Sequence, residues 1–342
     1  MKYRVSNLIM AGFLYLFSRF GVLSSLYYIF NTAFVFENRA VLSGRFYYYY
    51  NLHFKKSVPA LLRRNIHRIE KGLIMKPRRD VFANKYIVET MECFLECVEK
   101  KIIDRNEAKW AEDVLEIYFE SVQNESNNIV YSMSLFEKVK KLSIKDESEA
   151  DNFSPYIYKD LEKTEVNYDE IKGLFLKRRS VRWFKKKDVP LELIEQAVDA
   201  AVFAPTACNR QPYSFHIVTT KDTAVSVAKT AVGTNGFAEN IPCIIAIVGD
   251  LSAFSGERDR HLIYIDGSLV AMQLMLAMET LGLSTCPINW PDKASAEYDI
   301  RKILHLKTYE RPVLLLAVGY ALDDGGIAYS QKKNSTSLVK VY

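Results

Sequence analysis

Between residues 58 and 141 apolar positions recur every three to four residues. Leu61, Leu62, Ile66, Ile69 and Leu73 form one such stripe, closing near Gly72. Ile87, Met91, Phe94, Leu95 and Val98 form a second, and Val114, Leu115, Tyr118, Phe119 and Val122 a third. That spacing puts each set on one face of an α-helix. No strand-like alternation intervenes, so residues 51–142 read as a helical domain. Asn124–Asn128 is a polar break, and residues 143–167, rich in Ser, Asp, Glu and Lys with Pro155, read as a linker.

From residue 168 onward helices and strands alternate. The pattern predicts helices over Asp169–Lys177, Leu191–Phe203 (opened by Pro190), Asp259–Leu281 (capped by Gly282) and Lys293–Leu304. It predicts strands over Tyr213–Thr220, Cys243–Val248, Ser284–Asn289 and Val313–Tyr320. Such alternation belongs to an α/β or α+β domain spanning residues 168–342.

Residues 1–50 follow neither pattern. Val5–Ser18 and Phe20–Phe36 are free of charge, Arg19 separates them, and Lys2, Arg4, Arg39 and Arg45 flank them. Three readings of residues 5–36 stay open: an anchor lying in a membrane interface, apolar helices packed on the protein's own body, or a true span. The basic flanks would put the body on the cytoplasmic side under either membrane reading. No A-x-A-like cleavage site follows, which argues against a secretory signal peptide.

Composition adds bounds. A chain of 342 residues suggests two domains, and 49% hydrophobic with 25% charged residues excludes a disordered or collagenous protein. The net charge of +5 suits an anionic small ligand and gives no reason to expect nucleic acid. Five scattered cysteines, Cys93, Cys97, Cys208, Cys243 and Cys286, form no CxxC pair. They argue against a disulfide framework or zinc site and for a reducing, cytoplasmic setting. Cys93 and Cys97 read as two core residues of one helix face. Many of the 21 Tyr and 19 Phe precede Asn51.

GxGxxG, a P-loop, HExxH and GxSxG are all absent, so neither a Rossmann nicotinamide site, metal catalysis nor a serine nucleophile is favoured. Four separated segments carry candidate chemistry instead. Arg178, Arg179 and Arg182 crowd around Ser180, a combination able to bind phosphate or to be a solvated helix end. Pro205, Thr206, Asn209 and Gln211 lie in a loop whose amides could read the edge of a planar heterocycle. Pro287, Ile288, Asn289 and Trp290 end a strand whose backbone N–H groups could face a ligand, and Lys332 and Lys333 could close on a phosphate. The basic stretch from Leu62 to Arg79 is either a solvated helix face or a contact for an anionic substrate or lipid.

In this order and spacing, the segments RRSVRWF, APTACNRQPYSFHIV, YIDGSLVAMQLMLAMETLGLSTCPINW and VLLLAVGYA resemble the nitroreductase family of FMN-dependent oxidoreductases over residues 168–342. The resemblance implies an α+β fold with a mixed central sheet wrapped by helices, built as a homodimer with FMN at the interface. It implies FMN contacts from Arg178, Arg179, Ser180 and Arg182, then from Pro205, Thr206, Asn209 and Gln211, partly supplied across the dimer. It also implies backbone contacts from Pro287, Ile288, Asn289 and Trp290, and a phosphate contact from Lys332 and Lys333. The activity implied is ping-pong hydride transfer from NADH or NADPH to a small organic acceptor, with no metal and no assigned catalytic side chain. Tyr213 stands where many members have Trp, Lys332–Lys333 where Arg-Lys is common, and Asn289–Trp290 where some have an acid and glycine. The competing expectation is a non-catalytic flavin-binding or membrane-docked interaction protein, with a link to surface-polysaccharide biosynthesis.

Overall fold

The computed structural model describes residues 2–122, 126–142 and 152–342, residues 2–9 by backbone alone. Asn124 of the expected break and residues 143–151 of the expected linker lie outside the described residues. The amino-terminal part comprises α1 (Lys2–Arg19), α2 (Gly21–Phe30), α3 (Val35–Tyr50), α4 (Pro59–Leu73), α5 (Ile87–Glu99), α6 (Arg105–Ser121) and α7 (Asn127–Leu142).

Helices α4 to α7 enclose a core of their own. Leu61, Leu62, Ile66 and Ile69 of α4 meet Ile87, Met91 and Phe94 of α5 and Leu115 and Tyr118 of α6, all fully or nearly fully buried. Each such side chain contributes roughly 1.5–3 kcal/mol of burial, so this face, more than helix propensity, holds the bundle. Pro59 starts α4 where its missing N–H costs nothing. Asp104 caps α6 by accepting from the Glu107 N–H at 2.9 Å. Both Cys93 and Cys97 are buried free thiols in this core. Tyr48 of α3 joins it too, and burial pushes its hydroxyl up to about 12.

The second half adds α8 (Tyr168–Lys177), α9 (Leu191–Ala201), α10 (Lys221–Thr230), α11 (Leu262–Thr280) and α12 (Ala294–Leu304) to strands β1 (Tyr213–Val218), β2 (Cys243–Asp250), β3 (Ser284–Asn289) and β4 (Glu310–Gly319). The strands form one sheet in the order β1-β2-β4-β3, every pair antiparallel. The parallel element expected of a mixed sheet enters only as the bridge from Ser180 to Thr285. β2 is buried on both faces. Ile244, Ala246 and Val248 pack with Val227 of α10 and Ile300 of α12, while Ile245 and Ile247 pack with Ile194 of α9 and Leu274 of α11. This explains why its sequence is continuously apolar and does not alternate. By length and composition the stretch ending in α11 could cross a membrane. It is instead the sheet's core helix, with Val270, Leu274 and Met278 fully buried.

α3 ties the two halves together. Ala40, Val41, Gly44 and Tyr48 form its buried face, and Ala40 and Val41 share a small core with Leu251, Phe254 and Ile263. Gly44 is needed for this approach, because a Cβ there would stand 2.7 Å from backbone and side-chain atoms of Leu251. Gly44→Ala should gain about 1 kcal/mol of helix propensity but lose about 1–3 kcal/mol to overpacking. The expected outcome is a net loss of stability in urea unfolding; an increase would mean that α3 does not dock this closely.

Candidate functional site

The site residues expected from the sequence fall into two groups. The first group gathers where α8 ends. Asn167 caps that helix through a reciprocal capping box with Glu170, and the chain leaves it extended at Arg178. It then runs beside β3: Ser180 bridges Thr285, and the Val181 N–H donates to the Thr285 carbonyl at 3.0 Å. Arg178, Arg179 and Arg182 are thereby clustered, and among the described residues no carboxylate is bonded to any of them. Arg179 donates to the Arg178 carbonyl and Arg182 to the Ser180 carbonyl, both within the segment. The Arg178 Nε and the Thr285 hydroxyl are buried without a partner. A buried donor left unmade costs about 1–3 kcal/mol, so this corner carries an unmet donor beside clustered positive charge. Burial raises the adjacent Cys286 thiol, while Arg182 and Arg178 oppose the rise.

The alternation of β3 decides what else faces this corner. Thr285 turns its peptide groups away from β4 toward Val181, so Pro287 and Asn289, two and four residues on, turn theirs to the same outer edge. Pro287 therefore removes no ladder hydrogen bond, and the Asn289 N–H is the donor on the open edge. The side chains of Pro287 and Asn289 are exposed, whereas those of Ile288 and Trp290 are buried. Ile288 and Trp290 can thus meet a ligand only through the backbone. The Trp290 indole donates to Glu297 at 2.9 Å, and Glu297 also accepts from the buried Arg311 at 2.9 Å. Lys332 and Lys333 sit on an exposed coil.

The second group is the loop from Pro205 to Pro212. Cys208, Asn209 and Gln211 have φ of 55°, 53° and 49°, left-handed values that non-glycine residues adopt at about 1–2 kcal/mol each. Several bonds of roughly 1 kcal/mol offset that strain. The Thr206 hydroxyl accepts from the Gln211 N–H at 3.2 Å, and Asp266 accepts from the Ala207 N–H at 3.1 Å. Arg210, buried under Phe254, donates to the Ala207 carbonyl at 3.1 Å. From α4, Arg63 donates to the Arg210 carbonyl at 3.1 Å and to Glu107 at 2.8 Å. The amides of Gln211 and Asn209 bond one another at 3.2 Å.

The two groups are not together within one chain. β1 and β3 are opposite edges of the sheet, and α11 measures the separation along it. The loop docks at Asp266 near the start of α11, and Lys177, beside Arg178, pairs with Glu279 at 3.7 Å near its end. At 1.5 Å per residue that is about 20 Å. Thr285, Asp266, Arg63 and Arg210 were not singled out by sequence. The doublet Arg63–Arg64 and the Arg210 inside the loop were visible, but nothing linear joins them.

Burial pushes the Asp266 carboxyl above its ordinary range, opposed by the Ala207 N–H and by Arg210. The folded state therefore keeps this proton at a pH where the unfolded chain, near 4, has released it. The associated stability is present below that range and is lost as pH rises through the folded value. The difference in unfolding free energy between wild type and Asp266→Asn should accordingly move in favour of the variant from about pH 4 toward neutrality. Chemical denaturation across a pH series checks this, and a pH-independent difference would remove Asp266 from the account.

Residues 175–234 and 223–320 match the sequence model of the family described as "Nitroreductase family". An iodotyrosine dehalogenase 1 homolog of Caenorhabditis elegans is 26% identical over 214 residues, 53% of this chain and 63% of that protein. The match thus spans less than two thirds of that relative. An NADH dehydrogenase of Thermus thermophilus is 26% identical over 187 residues, 46% of this chain and 89% of its own. An FMN-dependent nitroreductase of Clostridium difficile, as a solved structure, is 24% identical with a TM-score of 0.43, covering 50% of this chain and 98% of its own. The family's sequence pattern thus lies over residues 175–320, on an α+β frame of four strands and flanking helices, and the carboxy-terminal half of the chain is similar to the nitroreductase family.

Proposed function

We propose that the chain is an FMN-dependent oxidoreductase that takes hydride from NADH or NADPH and delivers it to a small organic acceptor. The observation that carries this reading is the arginine corner, where among the described residues three guanidinium groups have no acidic partner and the Arg178 Nε is buried unpaired. A phosphate-bearing cofactor fits such a corner: Arg178, Arg179, Ser180 and Arg182 would hold its phosphate and ribityl chain through charge-assisted bonds. The Asn289 N–H on the open edge of β3 would meet an acceptor atom of the ring. When bound, FMN supplies the two-electron chemistry, and the chain's own residues bind, orient and tune it.

The loop holding Thr206, Asn209 and Gln211 completes the site best from a second copy of the chain, since about 20 Å separates it from the arginines of its own. A two-fold dimer brings opposite corners of two such sheets together twice. The nicotinamide and the acceptor would use one open face in turn, in ping-pong order. Nitro compounds and quinones fit this scheme, and so does a halogenated phenol, the class suggested by the iodotyrosine deiodinase names among the relatives. The intact set Arg178, Ser180, Asn209 and Gln211 argues against a decayed flavin site, and steady turnover of NADH or NADPH with an acceptor separates catalysis from flavin binding alone. Docking at a membrane adds to catalysis and does not compete with it.

The purified protein should carry a flavin absorption that NADH or NADPH bleaches without oxygen and that a quinone or nitro acceptor restores. A colourless protein that binds no added FMN would overturn the proposal. Arg178→Ala should raise the FMN dissociation constant about ten- to a hundredfold, the size of a lost hydrogen bond to a charged group. An unchanged constant would remove Arg178 from the site.

A further inference from the structure

From residue 10 to residue 30 the helical hairpin α1–α2 exposes large apolar side chains. Met10, Phe13, Leu14, Tyr15 and Leu16 are each 42–62% exposed over seven consecutive residues, and α2 has no buried residue at all. The two helices touch where Tyr27 meets Phe13 and Phe17, with ring centroids 6.1–6.2 Å apart. Between them lies an open groove of about 740 Å³, lined by Phe17, Leu23, Leu26 and Phe30 among others. One protein partner covers one face of a helix. So wide an exposed apolar surface, interrupted by Ser18, Arg19, Ser24 and Ser25, suits a membrane interface that offers acyl chains on one side and water on the other.

Charge points to the same surroundings. Lys2, Arg4 and Arg19 are the only charged residues before Glu37, so the hairpin region carries cations and no carboxylate. The exposed face of α3 continues the surface with Leu42, Phe46 and Tyr50, followed by Phe54, in stacked and tilted ring pairs 5.1–5.8 Å apart. Tyrosines and basic residues side by side suit the boundary between acyl chains and headgroups.

We propose that α1 and α2 dock the protein on an anionic lipid bilayer by lying in the plane of its interface. Geometry selects this over crossing. The 10 residues of α2 reach about 15 Å, half of a bilayer's hydrocarbon core. Insertion by the bend would carry Arg19 into that core. Lying flat, Arg19, whose guanidinium stands 5.3 Å from the Tyr15 ring centre, reaches the headgroups. Because α3 is seated against Leu251 through Gly44, the docked hairpin holds the oxidoreductase half at the membrane surface.

The test is flotation of the full chain, with and without FMN, on vesicles of phosphatidylcholine alone or with added phosphatidylglycerol. The wild type should float with the phosphatidylglycerol vesicles. The double variant Leu14→Asn, Ile29→Asn, both exposed positions, should stay at the bottom while keeping its FMN affinity. Arg19→Gln should weaken binding to the anionic vesicles about fivefold, the effect of one cation near a charged leaflet. Wild type that floats with neither vesicle overturns the proposal. So does a double variant that floats like wild type but forms a smaller oligomer in solution, since the hairpin would then be covered by a second copy of the chain. Neither result depends on whether the flavin reading holds.

Discussion

The strand order β1-β2-β4-β3 fixes where every candidate ligand-binding group can be. It puts the segment bridged to β3 and the loop leading into β1 at opposite edges, and α11 keeps them about 20 Å apart along its length. Each corner is then unsatisfied in its own way. Arg178 has a buried donor without an acceptor, and the loop at Cys208–Gln211 holds strained backbone without an internal reason for it. A second sheet that presented its opposite corner would bring the two together. On the proposed reading the site is shared by a symmetric pair, and the unpaired arginines are what such a pair would leave open for an anionic cofactor.

The amino-terminal helices serve the same corner from behind. α4 reaches the loop through Arg63, which holds the Arg210 carbonyl and Glu107 together, while Arg210 fills the space beneath Phe254. A rotation of α4 would release a loop that stores several kcal/mol of backbone strain. α3, seated on Leu251 through Gly44, links that bundle to the aromatic hairpin. The hairpin and the loop are therefore joined by packed helices, with α4 as the last member.

Much of the framework was legible in the sequence because its signals are local. Helix α4 follows from the stripe Leu61, Leu62, Ile66, Ile69, and β3 from the run between Gly282 and Trp290, with boundaries matching Pro59–Leu73 and Ser284–Asn289. The ligand segments were legible as motifs, since Arg178–Arg182 and Pro205–Pro212 are contiguous. What sequence withheld is pairwise and long-range. The antiparallel register, the turning of Trp290 inward to Glu297, and the bond from Arg63 to a residue 147 positions away have no linear signature. The aromatic excess before Asn51 was visible as composition, but only the exposure of Met10–Leu16 on all sides distinguishes a lipid-facing helix from a core helix.

Complementation between two defective chains tests the shared site most directly. Arg178→Ala and Gln211→Ala damage opposite corners, so a mixed dimer would hold one site with both lesions and one with neither. Refolding the two variants together should restore flavin occupancy to about a quarter of the wild-type level, the share set by random pairing in a two-fold dimer. Occupancy that stays at the level of the separate variants would contradict a site assembled from two copies of the chain.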